Sequence, residues 1–575
     1  MKTPMTKEKM VQVLEEIAFL LEIKGENFFK VRAFQNAARV LEGNPSDVGT
    51  LIETGELEKL KGIGKGTIAE IVHDLYEKGK SKDYEELRKG FPASLFELFK
   101  IPSFGAKRIK AVYEKLAVQS VEGLESAAQN GRLAKLEGFG EKLQDRILAN
   151  IRQMKKSEGR FLIDVATNQA GKLLAYLKKQ KGIERIEIAG SLRRCKEIVK
   201  DIDILVSAKN PQAIHEAFIQ YPETASVIAH GETKSSIALK SGMNCDLRTV
   251  SLREFPCALY YFTGSKEHNV AVRTIAKKKG IKINEYGLFK GKRLIPCASE
   301  AEIFERVGLH YIPPEVRENT GEIEWAAENN FPDLIEEKNI RGVFHVHSTY
   351  SDGVASLEEM IRSAQEKGYE YVGISDHSQS AKYAGGLEEK RLYRQWKEID
   401  QLQKRFKIRI FKGIESDILR DGSLDYPEPI LSQFDFVIGS VHSRFNLPEA
   451  EMTERLCRAM ENKYTTFLGH LTGRLLLSRE GYALNMERVI QAAKQTGAVI
   501  ELNAQPQRLE LDWRFCQTAK REGVGISIHP DAHAVSHMNY VTYGIGIARK
   551  GWLEKENVTN TMNLNAMEKF LKKRK

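Results

Sequence analysis

Two groups of residues in this 575-residue chain have the types and spacing for phosphate chemistry. The first lies in IAGSLRRCKEIVKDIDILV, residues 188–206. There a short strand breaks at Gly190-Ser191, Arg193 and Arg194 follow, and a second strand carries Asp201-Ile202-Asp203. Side chains alternate along a strand, so Asp201 and Asp203 share a face while Ile202 and Ile204 turn to the core. Paired carboxylates beside a Gly-Ser turn that offers backbone N–H groups suit a polyphosphate carried by divalent cations. An Asp-x-Asp strand alone is more readily an acidic solvent face; the Gly-Ser turn and the arginine pair shift the balance to the phosphate site. Two-metal phosphoryl transfer calls for a further carboxylate to set the ions about 4 Å apart. Asp246, in the alternating segment NCDLRTV, is the candidate.

The second group is spread from residue 341 onward, where nearly every short apolar run ends on a metal-type side chain. VFHVHSTYSDG supplies His345, His347 and Asp352, YVGISDH supplies His377, and IFKGIES supplies Glu415. FVIGSVH ends on His442, TTFLGH on His470, AVIELN on Glu501 and Asn503, and ISIHPDAH brings Asp531 and His533. One histidine at a strand end is usually a core or surface residue; the same placement on strand after strand is not explained that way. Imidazole and carboxylate without thiolate favour manganese, zinc or iron over a soft-metal site. Asp376 reads as a partner of these ligands, a general acid or a helix cap, and Arg444 and Arg474 as candidate phosphate contacts.

The elements that must position these groups follow from periodicity. Seven strand–helix units after residue 341, with polar residues at the strand ends, predict a parallel barrel whose functional face lies at the carboxyl ends of its strands. Residues 5–90 read as helices, the first with apolar Val11, Leu14, Ile17, Leu20 and Leu21, and a later one placing Phe29, Phe34 and Val40 in the core. Three glycine turns join helices at intervals: Gly62-Ile63-Gly64, then KIPSFGAKRIKAVYEK with Gly105, then KLEGFGEKLQDRILAN with Gly138 and Gly140. Such helix-hairpin-helix turns let the backbone approach a DNA phosphate and offer N–H groups without reading sequence. The middle copy has Ser103 where the first glycine is expected, which weakens its grip.

Length alone predicts several domains. The net charge is +10, with 34 Lys+Arg against 30 Asp+Glu from residue 341 onward and 54 against 48 before it, so neither half is a polycation and DNA contact depends on local patches. Six cysteines without a CxxC pair argue against a zinc ribbon or a disulfide framework. The amino terminus reads as a charged amphipathic helix, not a signal peptide, and no run has membrane-spanning length. A cytoplasmic protein is expected.

GSLRR, six residues, DID, then CDLR, YYFTGSKEHNVAVR (260–273) and INEYGLF (283–289) together resemble the family X DNA polymerases over about 100 residues. The resemblance implies a nucleotidyltransferase palm with thumb, in which Asp201 and Asp203 bind both metals (Mg2+ or Mn2+) and Asp246 assists deprotonation of the primer 3′-hydroxyl. Gly190, Ser191 and Arg194 would contact the triphosphate, Tyr261, Phe262 and Gly264 the sugar, and Asn269 and Arg273 the nascent base pair. Val199 and Lys200 stand where some relatives carry a Ser-Gly phosphate contact. Gly62, Gly64, Lys65, Gly105, Gly138, Gly140 and Lys234 would touch DNA. Glu70 occupies the position of the lyase lysine of some relatives; a carboxylate forms no imine, so no lyase site is expected. The half from 341 resembles PHP (polymerase and histidinol phosphatase) domains. That likeness implies three Mn2+ or Zn2+ ions held by His345, His347, Asp352, His377, Glu415, His442, His470, Asp531 and His533, with Glu415 bridging.

The expected fold class is multidomain α+β and α/β: helical helix-hairpin-helix domains, a palm with thumb, and a distorted (β/α)7 PHP barrel. The boundaries are 1–90, 91–155 (fingers-like), 156–252 (palm), 253–318 (thumb), 319–340 (linker) and 341–575 (PHP). A bacterial family X polymerase of this arrangement would fill short gaps on primer-template DNA from dNTPs in base excision repair, as a monomer. Its barrel would act as a 3′–5′ exonuclease, with abasic-site cleavage and removal of blocked 3′ ends also suggested. The alternative is a template-independent nucleotidyltransferase fused to a small-molecule phosphatase.

Overall fold

The computed structural model describes residues 5–44, 47–60, 62–99, 101 and 104–573. The chain forms two compact units: Met1–Glu158 with His347–Ser363 and Ala532–Met538, and Gly159–Val346 with Ala364–Asp531 and Asn539–Lys575.

The first unit is built on helices. Helix Lys7–Lys24 starts where the Thr6 side chain accepts from the Lys9 N–H and stops at Gly25, whose φ of 77° few other residues adopt. Helix Phe28–Gly43 is capped by Asn27 and buries Val31, Phe34, Ala37, Ala38 and Leu41 along one stripe. Phe34 and Val40 are core as expected, but Phe29 is 78% exposed. Five residues before Phe34, it lies about 140° around the helix from the buried stripe. The three glycine turns all precede helices. Gly62 and Gly64 (φ 114° and 61°) lead to Thr67–Lys78, Gly105 caps Ala106–Leu116, and Gly138 and Gly140 (φ 83° and 60°) open Gly140–Ser157. Ser103 lies outside the described residues.

In the second unit a five-stranded sheet contains β1 (Ile183–Ile188), β2 (Asp201–Ala208), β3 (Thr224–His230), β4 (Lys234–Leu239) and β5 (Asn244–Thr249), in the order β1-β2-β5-β4-β3. Helix Phe255–Thr263 lays Phe255, Ala258 and Leu259 against Ala189 and Leu205. A small antiparallel sheet follows, β6 (Ile281–Asn284), β7 (Gly287–Lys290) and β8 (Arg293–Ile295). Within the stretch expected as a linker, helix Glu322–Glu328 buries Glu322, whose carboxylate lies 2.8 Å from His268 Nδ1.

The remainder is a nearly closed parallel barrel of seven strands in sequence order: β9 (Gly342–Val346), β10 (Tyr371–Ile374), β11 (Arg409–Asp417), β12 (Phe436–Ser440), β13 (Thr465–Leu468), β14 (Val499–Asn503) and β15 (Ile526–His529). A helix follows each strand, as the alternation of patterns predicted. One end is filled by Phe344, Tyr371, Phe411, Phe436 and Phe467. Gly373 and Gly413 make room for them: a Cβ there would come within 2.7 Å and 2.2 Å of the Phe436 ring. Each buried ring contributes about 1.5–3 kcal/mol, and this apolar plug leaves the opposite end free for polar side chains.

Candidate active sites

In the palm sheet, β2 and β5 run parallel with Asp203 directly beside Asp246. Asp201 is exposed and Asp203 half-buried, while Ile202 and Ile204 are core, so the alternation holds. Above them the chain turns at Gly190 (φ 65°), where a Cβ would sit 2.0 Å from Asp203 Oδ2; only glycine fits. Burial, then the charges of Asp201 and Asp246, push the Asp203 carboxyl up to about 6. Burial and Asp246 raise Asp201 as well. Three carboxylates held this close outnumber the one ammonium in contact with them, so the donor set fits divalent ions. Asp246 accepts from Ser236 Oγ at 2.6 Å and lies 2.7 Å from Lys234 Nζ. The structure thus places Lys234, expected on DNA, against a carboxylate.

Ser191, Arg194, Lys200 and Asp201 line one cleft of about 740 Å3. The two arginines differ. Arg193 is committed to Glu300 through two bonds of 2.9 and 2.5 Å and to Thr263 Oγ1, and Glu300 also receives Arg317. Arg194 reaches the Thr263 carbonyl and Glu318. Gly264 (φ 69°) ends the next helix, and a Cβ on it would lie 3.1 Å from Arg194 Nη1. Beyond it Asn269 donates to the Tyr261 carbonyl at 2.8 Å, Arg273 to the Asn269 carbonyl at 3.2 Å, and Arg248 stacks over Phe262. Lys65 and Glu70 are exposed in the first unit.

In the barrel, Glu415 is 1% exposed and central. Its carboxylate oxygens lie 2.9 Å from His377 Nδ1 and His470 Nε2, 3.2 Å from His442 Nε2 and 3.3 Å from His345 Nε2. His345 Nε2 is also 3.4 Å from Asp531. The β9–β10 register shifts between Val343 and Val346, and His345 has a φ of 61° and Asp531 one of 49°. A strand-end irregularity re-aims His345 inward, at the cost of backbone strain that the packing around it must hold. Burial would raise the Glu415 carboxyl, but His377, His442 and His345 hold it well below the usual range. Burial likewise opposes protonation of His442, yet Glu415 and Asp417 raise it to about 9.

Ligand atoms of His345, His470 and Asp531, and of His377, Glu415 and His442, fall within 4.8 Å of one another, close to the span of two metal–ligand bonds of about 2.1 Å. His347, Asp352 and His533, on the segments grouped with the first unit, form another set: Asp352 Oδ1 is 3.3 Å from His533 Nε2 and 3.9 Å from His347 Nδ1. Three such groups in the barrel region are consistent with a trinuclear metal site.

Behind the ligands lies an outer layer, in which sequence reasoning named Glu501 as a metal-type side chain but missed Asp417. Asp417 Oδ1 lies 2.5 Å from His442 Nδ1, and Glu501 accepts from His345 and from His529, 3.1 Å away, and from the His470 N–H. Asp417 sits two residues beyond Glu415 on the same strand face, and that period was the available signal. Arg474 is spent on Asp512 and the carbonyls of Arg508 and Leu509, so it is not the free phosphate contact expected. Arg508 is closer to the site: its Nε is 3.5 Å from Asp531 Oδ2, and Nε and Nη1 lack a hydrogen-bond partner among the described residues. Arg444 is exposed, with a φ of 60°. Asp376 is buried and accepts from Gln395 at 2.6 Å.

A carboxylate-bearing palm and a histidine-lined parallel barrel in one chain define a polymerase joined to a metallo-phosphoesterase. Profiles match for the DNA polymerase beta thumb (258–318), a helix-hairpin-helix domain (5–81), a SAM-like helix-hairpin-helix tandem (95–153) and the PHP domain (344–505). The chain is 40% identical over 574 residues to the DNA polymerase/3′-5′ exonuclease PolX of Bacillus subtilis, covering 99% of this chain and 100% of that protein. A probable phosphatase of Acetivibrio thermocellus is 30% identical over 33% of this chain and 78% of its own length. The repair DNA polymerase X of African swine fever virus is 30% identical over 29% of this chain and 97% of its own. The chain belongs to the bacterial family X DNA polymerases with helix-hairpin-helix, thumb and PHP domains. Among the described residues no helix is long and apolar enough to cross a membrane.

Proposed function

We propose that the chain extends a primer across short gaps in duplex DNA at the palm and removes 3′-terminal nucleotides at the barrel. The palm half is carried by one observation, the lateral pairing of Asp203 with Asp246 beneath Gly190-Ser191. Asp201, Asp203 and Asp246 would hold Mg2+ or Mn2+, which neutralises the triphosphate and the leaving pyrophosphate. Asp246, steadied by Ser236, is placed to receive the proton of the primer 3′-hydroxyl, and DNA would draw Lys234 away from it. Ser191 and Arg194 take the triphosphate; Tyr261, Phe262 and Gly264 shape the sugar pocket; Asn269 and Arg273 face the base pair. The glycine turns at 62–64, 105 and 138–140, with Lys65, hold the DNA backbone.

At the barrel the carrying observation is Glu415 within reach of four imidazoles. With His345, His347, Asp352, His377, His442, His470, Asp531 and His533 it would hold three Mn2+ or Zn2+ ions, which activate water and steady the leaving oxygen. Glu501 and Asp417 fix the tautomers of His345 and His442, and Arg508 is placed to take the scissile phosphate. On one labelled gapped duplex with Mn2+, Asp201→Ala with Asp203→Ala should abolish dNTP incorporation and leave degradation intact. His345→Ala with His347→Ala should do the reverse. Loss of both activities in either folded variant would sink the two-site assignment.

A further inference from the structure

One barrel helix packs directly against the palm. Helix Val541–Lys550 seats Gly546 against the turn after Ser191, where a Cβ would come within 3.1 Å of Cys195 Cβ. At the end of that helix Lys550 is wholly buried. Its ammonium donates to the Arg194 carbonyl at 3.2 Å, the Glu315 carbonyl at 3.1 Å and Glu318 Oε1 at 2.5 Å. Three donors are all an ammonium has, so the group is saturated. The same Glu318 oxygen accepts from Arg194 Nε at 3.1 Å, and Arg194 Nη1 donates to the Thr263 carbonyl. One carboxylate oxygen therefore serves two buried cations in a pocket only 10% open at Glu318, with the more exposed Lys196 Nζ 3.8 Å from the other oxygen. Burial would raise the Glu318 carboxyl, but Lys550 and Arg194 hold it below the usual range, so both partners meet it as an anion.

Taken alone, an Arg194–Glu318 pair would be electrically neutral, and the carboxylate would compete with any phosphate for the guanidinium. Lys550 supplies the missing charge from beneath, and its bond to the Arg194 carbonyl fixes the backbone from which that guanidinium projects. We infer that Lys550 is a positioning residue for nucleotide addition: by sharing Glu318 with Arg194, the barrel's last-turn lysine keeps the Arg194 guanidinium available to the incoming triphosphate. The barrel thus supports the polymerase's grip on dNTP as well as carrying its own chemistry. The inference rests on the proposed contact between Arg194 and the triphosphate.

Steady-state gap filling by the full-length chain, with barrel hydrolysis followed in parallel, tests it. Lys550→Met leaves Glu318 to Arg194 and the longer, more exposed contact with Lys196; dNTP KM should rise roughly tenfold with kcat within about threefold, and hydrolysis should be unchanged. Adding Glu318→Gln should bring KM back to within about threefold of the parent, because the competing charge is gone. Glu318→Gln alone, which keeps an oxygen for Lys550 and guards against a misfolded Lys550→Met, should lower KM. An unchanged KM in Lys550→Met, a rise that Glu318→Gln does not reverse, or a higher KM in Glu318→Gln alone would each overturn the inference. Arg194→Gln separates the two levels. A raised KM there with no effect of Lys550→Met defeats only the role of Lys550. No rise in Arg194→Gln defeats the triphosphate contact itself.

Discussion

The palm and the barrel both gather carboxylates for divalent ions, but they balance the charge in opposite ways. In the palm, Asp201, Asp203 and Asp246 crowd two neighbouring strands, partly open to solvent; burial and the nearby carboxylates raise Asp201 and Asp203. In the barrel, Glu415 is enclosed by imidazoles that hold it ionised, and a second layer, Asp417 and Glu501, holds the imidazoles. On the function proposed above, the palm would be completed by ions that arrive with a polyphosphate, whereas the barrel would be preorganised for resident ions. The contrast is broken most severely at Glu415. Glu415→Gln should lower hydrolysis by about 1,000-fold or more, because one carboxylate faces four of the ligands, while gap filling stays within about twofold. An equal loss of gap filling in a folded variant would mean that the sites are not independent.

The outer layer gives the next effect. Asp417→Asn keeps the shape but no longer sets the His442 tautomer; metal affinity at the barrel should fall about 10–100-fold. Ser236→Ala, the nearest palm counterpart, should change Mg2+ affinity less than about fivefold, since Asp246 retains Lys234 and its strand neighbours. Competition by a fluorescent chelator reads both. A larger loss in Ser236→Ala than in Asp417→Asn would reverse the distinction.

This asymmetry also explains what could be read from the chain. The palm's Asp201 and Asp203 were placed on one face by strand alternation, and Asp246, sought as a further carboxylate on a segment expected to pair beside them, does lie opposite Asp203. The barrel strands were legible because each is apolar and each stops at a ligand. Partnerships across long sequence separations were not legible. Asp417 to His442, Glu501 to His345, and Arg508 to Asp531 depend on which strands become neighbours and on two positive-φ ligands, which no periodicity announces. Arg474 failed as a phosphate contact for the same reason: its acceptors lie more than thirty residues away, in the 508–512 loop. Phe29 failed because being apolar in a helix does not fix which side of it is buried.

Proton competition should separate the sites by pH. Asp203, raised to about 6, is ionised above that value, so palm affinity for Mg2+ should be flat at pH 7–9 and fall up to about tenfold per unit below about 6. His442, raised to about 9, is protonated below that value, and an ion must displace its proton. Barrel affinity for Mn2+ should therefore rise up to about tenfold per unit from pH 7 toward 9. Calorimetry in buffers of different ionisation enthalpy, using the two double variants to isolate each site, should find protons released at the barrel at pH 7.5 and almost none at the palm. They come from His442 and from His345, where burial opposes protonation but Glu501, Asp531 and Glu415 raise it. Release from the palm alone would contradict the charge balance described above.

The smallest effect should fall on both chemistries together. Gly64 and Gly138 adopt φ of 61° and 83°, and a Cβ at either meets nothing within 4 Å. Alanine there is strained by roughly 1 kcal/mol through the backbone alone, without a clash, so the turn distorts and the helices remain. If these turns hold DNA phosphates, Gly64→Ala with Gly138→Ala should weaken binding to a gapped duplex by a few-fold to tenfold and flatten its salt dependence. KM for DNA should rise in gap filling and in degradation by similar factors, with kcat and dNTP KM unchanged in the first. Grip on the duplex would then be common to both reactions although their carboxylates are not. A shift confined to one activity would assign the glycine turns to that site alone.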